Sequence, residues 1–136
     1  MRIVLDTNVL VSGLLSPFGA PGRIVQMVAA GEVVLCYDAR IASEYREVLS
    51  RPVFGFPADR IEALLEQVRA EGEATAAQPL AVALPDPDGA AFLEVAIAAG
   101  ADCLVTGNPR HFPARLRSGV VVISPSEFLA RWRPGA

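Results

Sequence analysis

A chain of 136 residues is long enough to bury a core of its own without disulfide or metal staples, and it reads as a single domain over residues 1–136. An apolar fraction of 52% without any long charged or low-complexity run argues for a compact soluble fold over disorder, and no uncharged apolar stretch reaches the roughly 18 residues of a membrane span. The net charge is −3, yet all 12 basic residues are arginine, whose planar fork of donors suits phosphate, and four carboxylates given to a metal would more than cancel that net charge. Acidity therefore does not exclude a polyanionic partner. An arginine bias also follows from genome composition, and by itself it locates no site. With no basic leader ahead of an apolar core and a small-residue cleavage site, the expected location is the cytoplasm. Cys36 and Cys103 lie in apolar runs without CxxC or metal-ligand spacing and read as reduced core thiols.

Residues 2 to 6 form a short apolar run of buried-strand type that ends in the carboxylate of Asp6, followed by Thr7 and Asn8. In open α/β sheets ligands sit beyond the carboxyl ends of such strands, so Asp6 stands at the lip of a crevice. Val9, Leu10, Val11, Leu14 and Leu15 continue in helical spacing until the loop Ser16 to Gly22, with two prolines and two glycines. Ile24, Val25 and Val28 mark a second helix closed by Gly31, and Glu32 to Tyr37 is the second strand. Alternating strands and helices point to βαβ units and a parallel sheet.

From Asp38 to about Ser50, Ile41, Tyr45, Val48 and Leu49 share one helical face, with Glu44 beside that stripe and Glu47 pointing away from it. Arg51-Pro52 ends the helix. A more polar helix follows from about Ala58 to Ala76, then a connector over 77–85 with an extended piece at Leu80 to Leu84. The turn Pro85-Asp86-Pro87-Asp88-Gly89 precedes the almost wholly apolar, buried helix Ala90 to Ala99. Asp102 to Thr106 is another strand, Gly107 to Pro113 a loop at its carboxyl end, and Val120 to Ile123 a last strand. Ser124-Pro125-Ser126-Glu127 opens the final helix with a capping box.

Asp6, Glu44, Asp86, Asp88 and Asn108 thus fall at strand ends, at a helix start or on an inner helical face. Oxygen ligands in that number are what Mg²⁺ or Mn²⁺ requires, and without a cation their mutual repulsion would raise their pKa values. Each has a plainer role when taken alone. Asp88 suits an N-cap, Asp86 a turn, Asp6 a cap for the helix at Thr7, Asn108 a left-handed loop residue, and Glu44 a boundary glutamate paired with Arg40 or Arg51. His111, the sole histidine, reads as a loop or core residue with no orienting partner evident. Only the conjunction carries information.

Four segments in register carry a family likeness: Ile3 to Leu10, Ser43 to Pro52, Asp86-Pro87-Asp88 ahead of Phe92-Leu93-Glu94-Val95-Ala96, and Ala101 to Asn108. Together they resemble the PIN-domain nucleases over nearly the whole chain, and within that family the bacterial toxin-like branch related to VapC-type toxins. The resemblance implies a three-layer α/β/α fold around a mainly parallel sheet, and Mg²⁺- or Mn²⁺-dependent cleavage of single-stranded RNA. It also implies, as often in that branch, a homodimer neutralised by a cognate antitoxin. Carried over by position, Asp6 is the central metal ligand supported by Thr7, Asn8 and Thr106, Glu44 is the second carboxylate, and Asn108 stands where relatives carry Asp or Asn. In close relatives the Asp-Pro-Asp stretch usually continues with another aspartate, where this chain has Gly89. That leaves both Asp86 and Asp88 as candidates to complete the site, with Asp88, nearer the helix start, favoured. Arg46, Arg51, Arg110, Arg115 and Arg117 are the candidates for phosphate contacts.

A phosphoacceptor receiver or a dehalogenase-type phosphatase would need a late lysine, and the chain has none. There is no GxxxxGK or GxGxxG segment. The remaining rival is a PIN-like binding module in which Gly89 has removed catalysis.

Overall fold

The structure is a computed structural model, and it describes residues 1–132. Five parallel strands, β1 (Arg2–Leu5), β2 (Val34–Tyr37), β3 (Glu73–Ala74), β4 (Cys103–Val105) and β5 (Val122–Ile123), form one sheet in the order β3-β2-β1-β4-β5. Six helices connect or follow them: α1 (Thr7–Leu15), α2 (Ala20–Ala29), α3 (Ala39–Leu49), α4 (Ala58–Glu71), α5 (Ala90–Ala99) and α6 (Pro125–Arg131). From β1 the chain moves outward to β2 and β3, then returns past β1 to β4 and β5. Crossovers that run in both directions from β1, given the usual right hand of such connections, put helices on both faces, an α/β fold of the three-layer kind. The order reverses between β1 and β4, so the crevice expected of such a sheet opens between their carboxyl ends, beside Asp6 and Thr106.

The central strands are apolar because both faces are covered: Ile3, Val4, Leu5, Leu104 and Val105 are completely buried. Tyr45 of α3 is also fully buried, and its hydroxyl donates to the Leu5 carbonyl at 2.5 Å, tying α3 to the residue before Asp6. Tyr45→Phe keeps the ring and removes that bond; we expect a loss of about 1 kcal/mol of stability by denaturant unfolding. An unchanged midpoint would show that the bond adds nothing. At the opposite end of β1, Arg2 donates to the Glu73 carboxylate and to the Ala99 carbonyl, both at 2.6 Å, holding edge strand β3 in place.

Strands β2, β4 and β5 are each two residues shorter than expected, and three departures from the sequence expectation are larger. The loop expected to run to Gly22 ends at Gly19, because Pro21 sits in the first turn of α2, where its missing N–H is no loss. Gly22 is needed there for space: a Cβ would lie 2.2 Å from the Pro17 carbonyl oxygen. The helix expected to reach Ala76 stops at Glu71. Gly72 turns extended beneath the Val68 and Leu35 carbonyls, which a Cβ would meet at 2.2 and 2.8 Å, and Glu73–Ala74 then pairs with β2. Residues Leu80 to Leu84 form no strand. The capping box of α6 is present in both halves, with Ser124 and Glu127 exchanging bonds of 3.2 and 3.3 Å. Both cysteines are buried and free, and burial pushes their thiols up, Cys36 to about 11 and Cys103 to about 12, which keeps them protonated and unreactive. Among the described residues no helix is long and apolar enough to cross a membrane.

Candidate active site

Asp6 leaves β1 in an extended conformation, and its N–H adds one more bond to the ladder by donating to the Val105 carbonyl at 2.9 Å. It occupies the N-cap position of α1, yet its side chain makes no capping bond. Oδ2 accepts instead from the hydroxyl of Thr106 at 2.8 Å. Thr106 is fully buried at the end of β4, and its Oγ1 also accepts from the Asn108 N–H at 3.0 Å. The next residue, buried Thr7, donates its hydroxyl to Oε2 of Glu44 on α3. Two threonines, one after each central strand, thus hold the two innermost carboxylates.

The third carboxylate source is the turn before α5. Asp86 caps the 3₁₀ turn Pro87–Gly89, its Oδ1 accepting from the Asp88 N–H at 3.0 Å, while its Oδ2 lies 3.4 Å from Nδ1 of His111. Asp86, and not Asp88, is therefore the capping residue, and the exposed Asp88 carboxylate accepts no hydrogen bond among the described residues. Asp6, Glu44, Asp86 and Asp88 all line one cleft of about 430 Å³, together with Asn8, Glu47, Val48, Arg51, Gly89, His111 and Phe112. Buried Phe112 packs under Gly89, where an added Cβ would lie 3.0 Å from its ring.

The surface-pair alternative for Glu44 does not occur. Arg40 pairs with Asp38 and Glu94, and Arg51 pairs with Glu47 at 3.0 Å. Both inner carboxyls are displaced upward. Burial raises Asp6, opposed by its bonds to Thr106 and the Thr7 amide, and the charge of Asp86 adds to the rise. Burial likewise raises Glu44, opposed by the Thr7 hydroxyl and reinforced by Asp6 and Asp88. The donor set is all oxygen, hard and anionic, the chemistry that suits Mg²⁺ or Mn²⁺. Among the described residues no three His, Cys, Asp or Glu side chains are drawn together closely enough to cage an ion, so the carboxylates share a cleft without forming a closed shell.

These shifts fix the sign of a pH dependence. Folded-state values above the ordinary 3.8 and 4.5 mean that the folded chain holds these two protons more tightly than the unfolded one. The resulting stability is complete below about pH 4 and is lost as pH rises through the folded values. With a chelator present, the thermal midpoint is expected to fall as pH rises from about 4 toward neutrality more steeply in the parent than in Asp6→Asn/Glu44→Gln. Equal slopes would sink the assignment.

The other expected residues divide. Asn8 lines the cleft and accepts from the Gly107 N–H at 3.2 Å. Asn108, with φ −132° and so not left-handed, lines a neighbouring cavity instead of the carboxylate cleft. Among the arginines Arg51 is at the cleft. Arg46 pairs with Glu62 beside a separate depression between α3 and α4. Arg117 donates to the Phe112 and Pro109 carbonyls at 2.7 and 3.3 Å and so clamps the loop beneath His111. Arg110 and Arg115 are exposed and form no ion pair among the described residues. Sequence reasoning missed the partner of His111, because Asp86 lies on a different turn with no sequence signal linking the two. It also missed Glu47, whose outward direction from the helix core is the direction of the cleft rim. A family model described as a PIN domain matches residues 2–110, and no curated protein matches the chain.

Proposed function

The chain belongs to the PIN-domain family, a family of nuclease type, and from that premise we propose that it is an endoribonuclease that hydrolyses single-stranded RNA with Mg²⁺ or Mn²⁺. The observation that carries this reading is the convergence of four carboxylates on one cleft at the sheet's switch point, the two innermost raised in pKa by burial and by their acidic neighbours. Asp6, Glu44 and Asp88 would hold the ion directly, with Asp86 setting the turn that carries Asp88. An ion held there would supply Lewis acidity toward a phosphoryl oxygen and toward a water nucleophile.

The chain's own groups do the rest. Thr106 and Thr7 hold the Asp6 and Glu44 carboxylates in the wall of the cleft. Asn8, fixed on Gly107, stands ready to donate to a substrate oxygen. Arg51 at the rim, with Arg110 and Arg115 outside it, offers positive charge to the flanking phosphates. The toxin role, a cognate antitoxin, a homodimer and a cytoplasmic location complete the proposal, and for the toxin role and its partners the support is the sequence resemblance to the toxin-like branch.

The decisive assay is cleavage of a labelled single-stranded RNA in Mn²⁺, run beside a chelated sample and an identically prepared Asp6→Asn. Cleavage by the parent alone is the expected result. The second reading, a binding module without turnover, rests on Gly89: at this point of the cleft wall there is no side chain, and the Phe112 ring lies 3.0 Å from where a Cβ would be. A folded parent that binds RNA but never cuts it would decide for that reading.

A further inference from the structure

On the other side of Asn8 from the carboxylates lies a second cavity, of about 250 Å³, between the start of α1, the start of α2 and the loop after β4. Asn8, Ser12, Pro21, Gly107, Asn108 and Pro125 line it, and no ionisable side chain does. The two cavities meet at Asn8, which belongs to both walls. Its Oδ1 is held by the Gly107 N–H at 3.2 Å, which fixes the amide and leaves Nδ2 without a hydrogen-bond partner among the described residues. Asn108 is fixed through its backbone N–H on Thr106, and its side-chain amide likewise has no partner among the described residues.

We propose that this neutral cavity is a base-binding subsite for the nucleotide next to the scissile phosphate, an assignment that rests on the ribonuclease reading. A phosphate would call for the arginines and a cation for the carboxylates, and both kinds of side chain are absent from the wall. Two carboxamides and a hydroxyl both donate and accept, which is what the edge of an unpaired base demands. Pro21 and Pro125 supply flat apolar surface for its ring. The volume falls below the roughly 300 Å³ at which drug-sized ligand pockets begin, so the cavity suits one unstacked base and not a paired one. The step from Asp6 to Asn8 along α1 then links chemistry to base choice. The base enters one side of Asn8 while its phosphate lies on the other.

The test measures binding apart from cleavage. Labelled A, C, G and U tetranucleotides are titrated onto the Asp6→Asn chain, alone and carrying Ser12→Leu or Asn108→Ala. Ser12 is exposed on α1, so leucine fills the cavity without disturbing the core and keeps a good helix former there. The Asp6→Asn chain is expected to prefer one base by about tenfold, the discrimination of a good amide–base contact, and both added changes to cut that preference to about twofold. In the otherwise parental chain, Ser12→Leu is expected to slow metal-dependent cutting and to abolish base choice at the cut site. No preference, or a preference untouched by both changes, overturns the subsite. If cleavage fails in the parent while a Ser12-dependent preference persists, the nuclease reading falls and the base site stands. If cleavage is present and the preference is unmoved, only the subsite falls.

Discussion

Asp6→Asn is expected to lower metal-dependent RNA cleavage by about 10³-fold or more, because a carboxylate that organises the ion carries several kcal/mol of transition-state stabilisation. The fold should survive the change. Asparagine keeps an oxygen to accept from Thr106, and the backbone bond from residue 6 to Val105 is untouched. Removing the Asp6 charge also relieves the repulsion that adds to the effect of burial in raising Glu44. The thermal midpoint of the variant in chelator should therefore equal or exceed that of the parent at pH 7, while the increase produced by Mn²⁺ shrinks. Both quantities come from one set of melting curves, and the rate from the cleavage assay. A variant that cuts at the parental rate would remove Asp6 from the mechanism, and one that is unfolded would mean that its carboxylate is structural.

Most of the fold was legible because the signals were local. Strand runs such as Ile3-Val4-Leu5 and helix limits such as Ser124-Pro125 are written within a few residues, and the family likeness ordered them. The misread limits were set by contacts between distant segments. Nothing near Gly72 shows that the Leu35 carbonyl lies over it, and nothing near Pro21-Gly22 shows that Pro17 folds back onto a helix start. The carboxylate positions were legible as strand and helix ends, whereas their partners were not. Thr7 sits beside Asp6 but bonds to Glu44, and Asp86 meets His111 from a separate turn. Asn108 illustrates the same limit. Its position after β4 placed it near the site, but which of two adjoining cavities it enters depends on Thr106 holding its backbone.

Those partners decide between the two aspartates of the turn. Asp88→Asn is expected to reduce cleavage by about 10²- to 10³-fold, as for a direct ligand, and Asp86→Asn by about tenfold, as for a residue that orients one. Asp86 has both oxygens engaged, Oδ1 by the Asp88 N–H and Oδ2 toward His111, and asparagine preserves the first of these. The turn should then keep its shape, and Asp88 its direction. Asp88 accepts no bond among the described residues and faces the cleft from a turn whose next residue, Gly89, has no side chain to take over. Asp86→Ala should lie between the two, since it also releases the cap. The Mn²⁺-dependent rise in thermal midpoint provides a readout apart from turnover: it should be reduced most by Asp88→Asn. The reverse order in both measurements would make Asp86 the ligand, with Oδ2 given to the ion in place of His111 while Oδ1 keeps the capping bond.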